Sequence, residues 1–304
     1  MLSSTFIENL GRIIPKENII LNEPMSRHTT FRVGGEAACL IKVPDSEKLA
    51  KLILFLDQTG YEYFLLGNGS NLLVSDNGYD GIILKLENRF EEVHVDGMKI
   101  IAGAGASLSY VARRAMEEGL KGMEFASGIP GTLGGAIVMN AGAYDGEMKQ
   151  IVKEVNVMDQ TGNILTLNNE TMEFGYRNSV IRNRPFIVLS AVLALAEGDK
   201  EEIRQKMQVL AEKRKEKQPL EYASAGSTFK RPEGYFAGKL IMEAGLRGFS
   251  IGGAKVSDKH CGFIVNTGNA TAQDIFEVIQ EVQERVKEQF GILLEPEVIR
   301  LGRF

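Results

Sequence analysis

Apolar residues recur every three to four positions in several segments of the chain, which predicts amphipathic helices. These helices are expected over 1–20, 46–59, 107–118, 200–218 and 271–290. Ser46 is expected to cap the second helix, and Gly60 and Gly291 follow the ends of the second and the last. Pro219 ends the charged fourth helix, because proline lacks the N–H that a helix needs.

Strands are predicted where apolar residues alternate with polar ones or form short continuous runs. The predicted strands lie at 37–43, 63–67, 81–86, 93–103, 151–158, 164–167, 186–195 and 292–301. Asp96-Gly97 marks a hairpin turn, and Asp159, Gly162 and Asn163 mark a second one. The first 86 residues therefore read as a small α/β section, and the strands that follow read as antiparallel.

Length and composition describe an ordinary globular protein. The 304 residues suggest two or three domains at about 150 residues each. Hydrophobic residues make up 44% of the chain and charged residues 25%, which excludes a mainly disordered protein. The net charge of −5 disfavours a broad nucleic-acid surface, so no nucleic-acid partner is expected.

Several classes are excluded by what the sequence lacks. No basic start with an apolar run begins the chain, and no apolar stretch reaches about 18 residues, so neither secretion nor a membrane span is expected. The two cysteines, Cys39 and Cys261, predict buried reduced thiols in the cytoplasm. His28, His94 and His260 lack metal-ligand spacing, so no metal site is expected.

Glycine is in excess, with 33 residues against eight prolines and no repeat. Three clusters stand out, at 67–73, 103–106 and 127–136, the last leading into 139–144. Successive backbone N–H groups in such loops bind phosphate, and the accompanying Ser, Thr and Asn without Lys suit a diphosphate. The motif GAGASL lacks the last glycine of a dinucleotide fingerprint, and GFSIGGAK fails as a Walker loop.

Five motifs occur in order along the chain: GNGSNLL, GIPGTLGGAIVMNAGAY, FGYRNS, AGSTFKRP and LEPEV. With HTTFRVGG at 28–35, this order resembles the UDP-N-acetylenolpyruvoylglucosamine reductase (MurB) family over nearly the whole chain. The resemblance implies an α+β protein with the FAD-binding fold of the vanillyl-alcohol-oxidase/PCMH type and a C-terminal α+β substrate-binding domain. The implied subdomains are 1–86, joined by 291–304, and 87–198, with the substrate domain at 199–290.

The resemblance also implies an activity. The family uses NADPH and non-covalent FAD to reduce UDP-N-acetyl-3-O-(1-carboxyvinyl)-glucosamine to UDP-N-acetylmuramate. This reaction belongs to cytoplasmic peptidoglycan precursor synthesis, and so to cell wall biogenesis, cell shape and cell division. A monomer is expected. The chain further resembles the family's shorter type, because only 49 residues separate Arg177 from Ser227 and leave little room for an extra substrate-covering loop.

By the same resemblance, the glycine motifs hold the cofactor. The implied cofactor-binding residues are Gly67, Asn68, Gly69, Ser70, Asn71, Leu72, Gly128, Ile129, Pro130, Gly131, Thr132, Gly134, Gly135, Asn140, Gly142 and Ala143.

Three residues match the catalytic positions of the family. Arg177 would hold the substrate carboxylate, because a guanidinium binds it through two parallel hydrogen bonds. Ser227 would donate the proton, with Thr228 as a competing hydroxyl. Glu297 would assist, with Glu295 as a neighbour that faces the same side if this segment is a strand.

The third section would bind the UDP-sugar. Tyr176, Lys217, Arg231, Lys239 and His260 are the candidates, and Lys255 is a further one. Arg231 departs from the asparagine that some relatives carry, which leaves its contact open.

Two other readings remain open. Another FAD-dependent oxidase or dehydrogenase of the same fold would share the glycine loops but not the catalytic trio. A phosphate-binding module or kinase without flavin would be colourless, with Asp76 and Asp80 as weak metal ligands.

Overall fold

The structure, a computed structural model, describes residues 2–304 and divides the chain into two compact units. Unit 1 comprises 1–20, 39–67 and 81–213, and unit 2 comprises 21–38, 68–80 and 214–304.

The α-helices are α1 (Ser4–Ile13), α2 (Ser46–Thr59), α3 (Leu108–Glu117), α4 (Leu133–Val138), α5 (Lys200–Lys217), α6 (Ala237–Glu243) and α7 (Ala272–Phe290). The strands are β1 (Ile19–Pro24), β2 (Glu36–Val43), β3 (Tyr63–Leu66), β4 (Leu72–Val74), β5 (Tyr79–Leu86), β6 (Val93–Asp96), β7 (Lys99–Gly103), β8 (Leu120–Lys121), β9 (Gly142–Ala143), β10 (Gly146–Glu147), β11 (Val152–Met158), β12 (Ile164–Asn168), β13 (Ile187–Ala194), β14 (Ala196–Glu197), β15 (Ala223–Ser224), β16 (Ser250–Ile251), β17 (Ala254–Val256), β18 (Ile264–Asn266) and β19 (Ile299–Leu301).

Unit 1 contains a five-stranded sheet in the order β12-β11-β13-β7-β6. Every neighbouring pair in it is antiparallel, as the sequence predicts. In the β6–β7 hairpin, Asp96 pairs with Lys99, so Gly97 and Met98 form a two-residue turn, and the positive φ of Gly97 is the backbone that such a turn requires. Apolar side chains of α3 and α4 join the core of this sheet.

In unit 1, α1 and α2 share a core with residues 39–43 of β2 and 82–84 of β5, which belong to the sheet β1-β2-β5-β3. Strands β3 and β5 are parallel, with Tyr63 opposite Ile82. In α2, Leu49, Leu52, Ile53 and Leu56 are all buried, and burial of each such side chain contributes about 1.5–3 kcal/mol. The periodicity of the sequence thus identifies the face that packs.

Unit 2 contains the antiparallel sheet β15-β18-β17-β16, and α6 and α7 share its core. Helix α7 begins at a capping box, in which the Thr271 hydroxyl accepts from Asp274 N at 3.0 Å and the Asp274 carboxylate accepts from Thr271 N at 2.9 Å. Strand β19 pairs in parallel with β4 of the same unit, with Ile299 opposite Leu72.

Four local expectations are corrected by the structure. The first helix, expected over 1–20, ends at Ile13, before Pro15, and residues 19–24 form β1. Asp45, not Ser46, caps α2: its Oδ1 accepts from Lys48 N at 2.8 Å. The last predicted strand, 292–301, shrinks to β19. The densest glycine cluster contains a short helix, α4.

The prediction that both cysteines are buried thiols is confirmed. Cys39 and Cys261 are both buried and form no disulfide. Burial raises the pKa of the Cys39 thiol to about 12, so this thiol stays protonated and behaves as a small apolar side chain. Among residues 2–304, no helix combines the length and apolar character needed to cross a bilayer.

Candidate active site

The first glycine cluster follows β3 at a place where only glycine fits. A Cβ atom on Gly67 would lie 2.7 Å from the Thr132 hydroxyl oxygen. This close approach brings the start of the first cluster against the third cluster within unit 1. The sequence predicts both as cofactor loops, and the structure makes them neighbours.

Gly69 is required for a different reason. Its φ of +60° lies in the left-handed region, and a Cβ atom there would lie 1.9 Å from the His28 carbonyl oxygen. The carbonyl of Gly69 also accepts from Thr30 N at 3.2 Å. The loop of the first cluster is therefore tied to the HTTFRVGG segment of unit 2.

Asn71 and Leu72 connect the same loop to the end of the chain. Asn71 Nδ2 donates to the Glu297 carbonyl at 3.0 Å, and the Asn71 carbonyl accepts from Ile299 N at 3.0 Å. The Leu72 side chain is buried in β4. These contacts fix the backbone of the loop at its C-terminal end.

The second and third clusters join through their backbones. Gly134 N donates to the Ala104 carbonyl at 2.8 Å, and Leu133 N donates to the Ala106 carbonyl at 2.9 Å. A Cβ atom on Gly134 would lie 2.9 Å from Ala104 Cβ. Glycine here serves the close packing of two chain segments, and that packing holds the loop of the third cluster in place.

The donor set of these loops fits a flavin dinucleotide. The side chains of Asn68, Ser70 and Thr132 offer neutral amide and hydroxyl groups, which suit the oxygens of a diphosphate. The three glycine clusters contain neither cysteine nor histidine, the residues that attach FAD covalently in some enzymes of this fold.

Arg177 lies at the tip of a tight turn. Gly175 and Asn178 exchange backbone hydrogen bonds of 3.0 and 3.3 Å, so Tyr176 and Arg177 form the two-residue loop. Arg177 has a φ of +53°, which is uncommon for a residue with a side chain and is typical of functional sites. Its Nη2 donates to the Gly142 carbonyl at 3.4 Å.

The turn is anchored by Asn140, which is 1% exposed. Asn140 Nδ2 donates to the Gly175 carbonyl and to Glu147 Oε2, each at 3.0 Å. Asn140 Oδ1 accepts from Lys149 N at 2.8 Å. The sequence predicts Asn140 as a cofactor contact, and the structure shows its amide bound to the protein.

A second anchor lies on the other side of the turn. Ser179 is fully buried, and its Oγ donates to the Val138 carbonyl at 2.9 Å. Val138 is the last residue of α4. The arginine turn and the third glycine cluster are thus parts of one packed region of unit 1.

The serine motif separates its two hydroxyls. Ser227 is exposed, whereas Thr228 is 0% exposed. Thr228 Oγ1 accepts from Ile264 N at 3.1 Å, and Thr228 N donates to the Gly262 carbonyl at 2.8 Å. Thr228 is therefore bound into unit 2, and Ser227 is the hydroxyl available to a ligand.

The glutamate motif lies beside the serine motif. Glu297 N donates to the Thr228 carbonyl at 2.8 Å, and Lys230 N donates to the Glu295 carbonyl at 2.9 Å. Ser227 and Glu297 therefore lie on neighbouring segments of the same unit.

The two glutamates do not share an environment, contrary to the expectation for a regular strand. Glu295 is exposed and its carboxylate pairs with the Lys230 ammonium group. Glu297 is half-buried, and its Oε2 atom is buried and accepts no hydrogen bond from residues 2–304. The backbone at Pro296 forms an antiparallel bridge with Phe229, so the difference between the two glutamates lies in burial and partners.

His260 lies next to the serine motif, in the loop that ends at Gly262. Its Nδ1 accepts from Gly262 N at 3.1 Å, so the ring is neutral and carries its proton on Nε2. Burial lowers the pKa of His260 below its usual value of 6.5. The ring is therefore a neutral donor for an oxygen atom.

Among the remaining predicted substrate residues, Lys255 is half-buried and the others are exposed. Two of the lysines have acidic neighbours. Lys217 ends α5, Lys239 lies 3.6 Å from the Glu243 carboxylate, and Lys255 lies 2.5 Å from Asp258. Tyr176 is 56% exposed in the arginine turn.

Phe236 is a surface feature that the sequence analysis missed. It is 59% exposed, and the Arg231 guanidinium lies over its ring at 3.9 Å from the centroid. An aromatic residue shortly after a cationic one, at the start of a glycine-interrupted helix, is the signal that would have identified it.

Asp76, considered above as a weak metal ligand, has a structural position. Its two carboxylate oxygens accept from Ala272 N and Gln273 N at 2.9 Å each, at the start of α7. These bonds use both oxygens for helix capping. Within residues 2–304, no group of three or more His, Cys, Asp or Glu side chains is arranged to hold a metal ion.

Comparison with known proteins defines the class first. Residues 37–168 match the family described as "FAD binding domain". The fold is also similar to a Phl p 4 variant described as a glucose oxidase, with a TM-score of 0.50 and 14% identity over 64% of this chain and 44% of that one. The family match and the glycine loops thus define an FAD-binding protein.

The family follows from closer relatives. Residues 218–301 match the "UDP-N-acetylenolpyruvoylglucosamine reductase, C-terminal domain". The chain is 54% identical to the reductase of that name from Caldanaerobacter subterraneus over 99% of both chains, and 51% identical to that of Clostridioides difficile over 97% of both. The crystal structure of the Thermus caldophilus enzyme has a TM-score of 0.81 and 37% identity, covering 93% of this chain and 98% of that one. The chain therefore belongs to the UDP-N-acetylenolpyruvoylglucosamine reductase family, as the motifs indicate, and it is an FAD-containing oxidoreductase.

Proposed function

We propose that this protein reduces the enolpyruvyl ether of UDP-N-acetyl-3-O-(1-carboxyvinyl)-glucosamine to the lactyl ether of UDP-N-acetylmuramate, with NADPH as the source of electrons. The proposal rests on family membership and on one observation in unit 2: the backbone bond between Glu297 and Thr228 places the exposed Ser227 beside the glutamate motif. The protein would act in the cytoplasm as a monomer in peptidoglycan precursor synthesis, and so serve cell shape and division.

We assign the segments accordingly. Residues 1–86 with 291–304, and residues 87–198, would form the two halves of the FAD-binding region, and 199–290 would bind the UDP-sugar. FAD held by the glycine loops would supply hydride transfer between NADPH and the methylene carbon of the enolpyruvyl group. The protein has to hold the substrate and manage charge and protons.

Arg177 would bind the carboxylate of the enolpyruvyl group. Negative charge develops on the carbon next to that carboxylate as the hydride arrives, and a planar guanidinium spreads this charge through two parallel hydrogen bonds. A left-handed turn that presents the side chain at its tip is consistent with such a role.

Ser227 would donate a proton from Oγ to this carbon. A serine hydroxyl is a weak acid, but the carbanion is a strong base, so the transfer proceeds once the two atoms are within hydrogen-bond reach. Glu297 would polarise the carboxyl group of the intermediate or relay the proton that restores the hydroxyl. Its half-buried carboxylate suits a group that acts on a ligand.

Around them, the neutral His260 would donate its Nε2 proton to an oxygen of the UDP-sugar. Tyr176, Lys217, Arg231 and Lys239 would bind the diphosphate or its neighbours. Arg231 already packs on Phe236, and this stacking would orient its guanidinium.

The test begins with the purified protein, which should be yellow with absorption bands at about 370 and 450 nm. Stopped-flow mixing with NADPH should bleach the 450 nm band, and later mixing with the enolpyruvyl substrate should restore it. Mass spectrometry should find a product that has gained two hydrogens. A colourless protein that FAD does not reconstitute, or a reduced flavin that only oxygen reoxidises, would contradict the proposal.

A further inference from the structure

We propose that Asn140 is a positioning residue for Arg177, holding the turn that presents the guanidinium rather than contacting the cofactor. This inference rests on the role proposed above for Arg177. It starts from the hydrogen bonds of a single buried amide.

The orientation of the Asn140 amide is determined by its partners. Lys149 N is a donor and needs the Oδ1 atom, whereas the Gly175 carbonyl and the Glu147 carboxylate are acceptors and need Nδ2. In a flipped amide, Nδ2 would face the Lys149 N–H, and Oδ1 would face the Gly175 carbonyl and the Glu147 carboxylate.

This orientation leaves Asn140 no donor for a cofactor. Nδ2 has two hydrogens, and each is bound to a protein oxygen at 3.0 Å. The remaining capacity is one lone pair of Oδ1, which a phosphate oxygen, itself an acceptor, does not bind. The side chain is 1% exposed, so it faces the protein interior.

The hydrogen bond from Asn140 to Gly175 fixes one end of the arginine turn. The chain just after the other end is fixed by Ser179, whose hydroxyl donates to the Val138 carbonyl. Asn140 and Val138 both lie at the end of α4. A two-residue loop has little conformational freedom of its own, so the position of its two ends determines where Arg177 points.

The same short helix begins at the third glycine cluster. Thr132 caps α4, and its hydroxyl occupies the space that a side chain on Gly67 would need. A helix of this length spans only about 9 Å. Asn140 therefore sets the arginine turn relative to a loop proposed to hold FAD.

Two substitutions remove the Nδ2 donor at a backbone conformation that the new residue can adopt. Asn140 has a φ of +43°, which glycine adopts freely, so Asn140→Gly deletes the side chain alone. Asn140→Asp keeps the shape and the acceptor for Lys149 N, but it sets a carboxylate against the Glu147 carboxylate and the Gly175 carbonyl.

The first readout separates cofactor binding from substrate chemistry. Both variants should retain FAD at the wild-type ratio, and their flavin should be reduced by NADPH within about twofold of the wild-type rate. Oxidation of the reduced flavin by saturating substrate should slow by roughly 10- to 100-fold, because a misplacement of about 1 Å costs up to that much.

The second readout is independent of activity. Hydrogen exchange of a peptide covering 173–182, followed by mass spectrometry, should be faster in Asn140→Gly than in the wild type, because the turn loses its hydrogen bond at Gly175. Asn156→Ala is the matched control. It removes a half-buried amide of the five-stranded sheet, whose Nδ2 binds Ser190 Oγ at 3.0 Å, and it should change neither the exchange of this peptide nor the substrate step.

A double-mutant cycle decides whether Asn140 acts through Arg177. If it does, Asn140→Gly with Arg177→Ala should be no slower than Arg177→Ala alone, within about twofold. Fully multiplied losses would overturn the inference, as would loss of FAD from both Asn140 variants, which would make the residue a cofactor or folding determinant. If Arg177→Ala itself leaves the substrate step intact, the proposed role of Arg177 fails, and the inference fails with it.

Discussion

The two hydroxyls of the serine motif offer the sharpest test of the site, because the structure gives them opposite roles. Thr228→Val keeps the shape of a 0%-exposed side chain but removes the oxygen that accepts from Ile264 N at 3.1 Å. Ile264 is buried as well, so its N–H loses its partner without gaining water. An unpaired buried donor costs about 1–3 kcal/mol.

Ser227→Ala should behave in the reverse way. Ser227 is exposed, and such surface substitutions usually change the free energy of unfolding by less than about 0.5 kcal/mol. Loss of the proton donor, however, should slow the oxidation of reduced flavin by substrate by about 10²- to 10⁴-fold.

Thermal unfolding and stopped-flow absorbance at the flavin band measure both effects on the same samples. Thr228→Val should lower Tm by about 2–4 °C for each kcal/mol lost, with the substrate step little changed. Ser227→Ala should keep Tm and the NADPH step and lose the substrate step. The reasoning is refuted if Ser227→Ala slows both half-reactions equally, or if Thr228→Val stops the substrate step at unchanged Tm.

Three further predictions follow from single contacts. Gly69→Ala should lose FAD and unfold at a clearly lower temperature, because its Cβ would meet the His28 carbonyl. The control Gly97→Ala, also at positive φ but in open space, should cost only about 1–2 kcal/mol in urea unfolding. Equal losses of stability in the two variants would contradict this. Arg177→Lys should slow the substrate step by roughly 10- to 100-fold in stopped flow, since a point charge replaces a paired hydrogen bond, and an unchanged rate would remove Arg177 from the mechanism. Burial lowers the pKa of folded His260, so the unfolded chain binds a proton first as pH falls below 6.5. Wild-type Tm should therefore fall relative to that of His260→Asn between about pH 7 and pH 5.5. Parallel curves of Tm against pH would show that His260 contributes nothing to this dependence.

The long helices were predictable because their signals are local. Helix α7 has a capping box at Thr271, a buried stripe along its length and Gly291 at its end, all visible in the sequence. The antiparallel character of the middle sheet followed from its hairpin turns for the same reason. The cap of α2 was misplaced by one residue, since Asp45 and Ser46 are both good caps.

The short elements were not predictable because distant residues stabilise them. Helix α4 has two glycines in six residues, a poor helix by propensity, yet its first N–H groups donate to the carbonyls of Ala104 and Ala106. Strand β4 exists because β19 pairs with it from the far end of the chain.

The candidate site divides in the same way. The motifs placed Ser227 and Glu297 in the sequence, but the choice between Ser227 and Thr228, and between Glu297 and Glu295, depends on burial and partners that only the fold supplies. The bonds of the Asn140 amide are likewise invisible in the sequence, because an asparagine in a glycine-rich loop looks equally suited to a ligand.

The pairing of β4 with β19 has a consequence for synthesis. The loop at 67–73 is made early, yet its backbone is completed by Ile299 N and by the Glu297 carbonyl that binds Asn71. A ribosome that has finished the glycine loops has therefore not yet made the strand that supports them. We therefore expect the proposed flavin loop to reach its final backbone only after residues up to Leu301 have emerged.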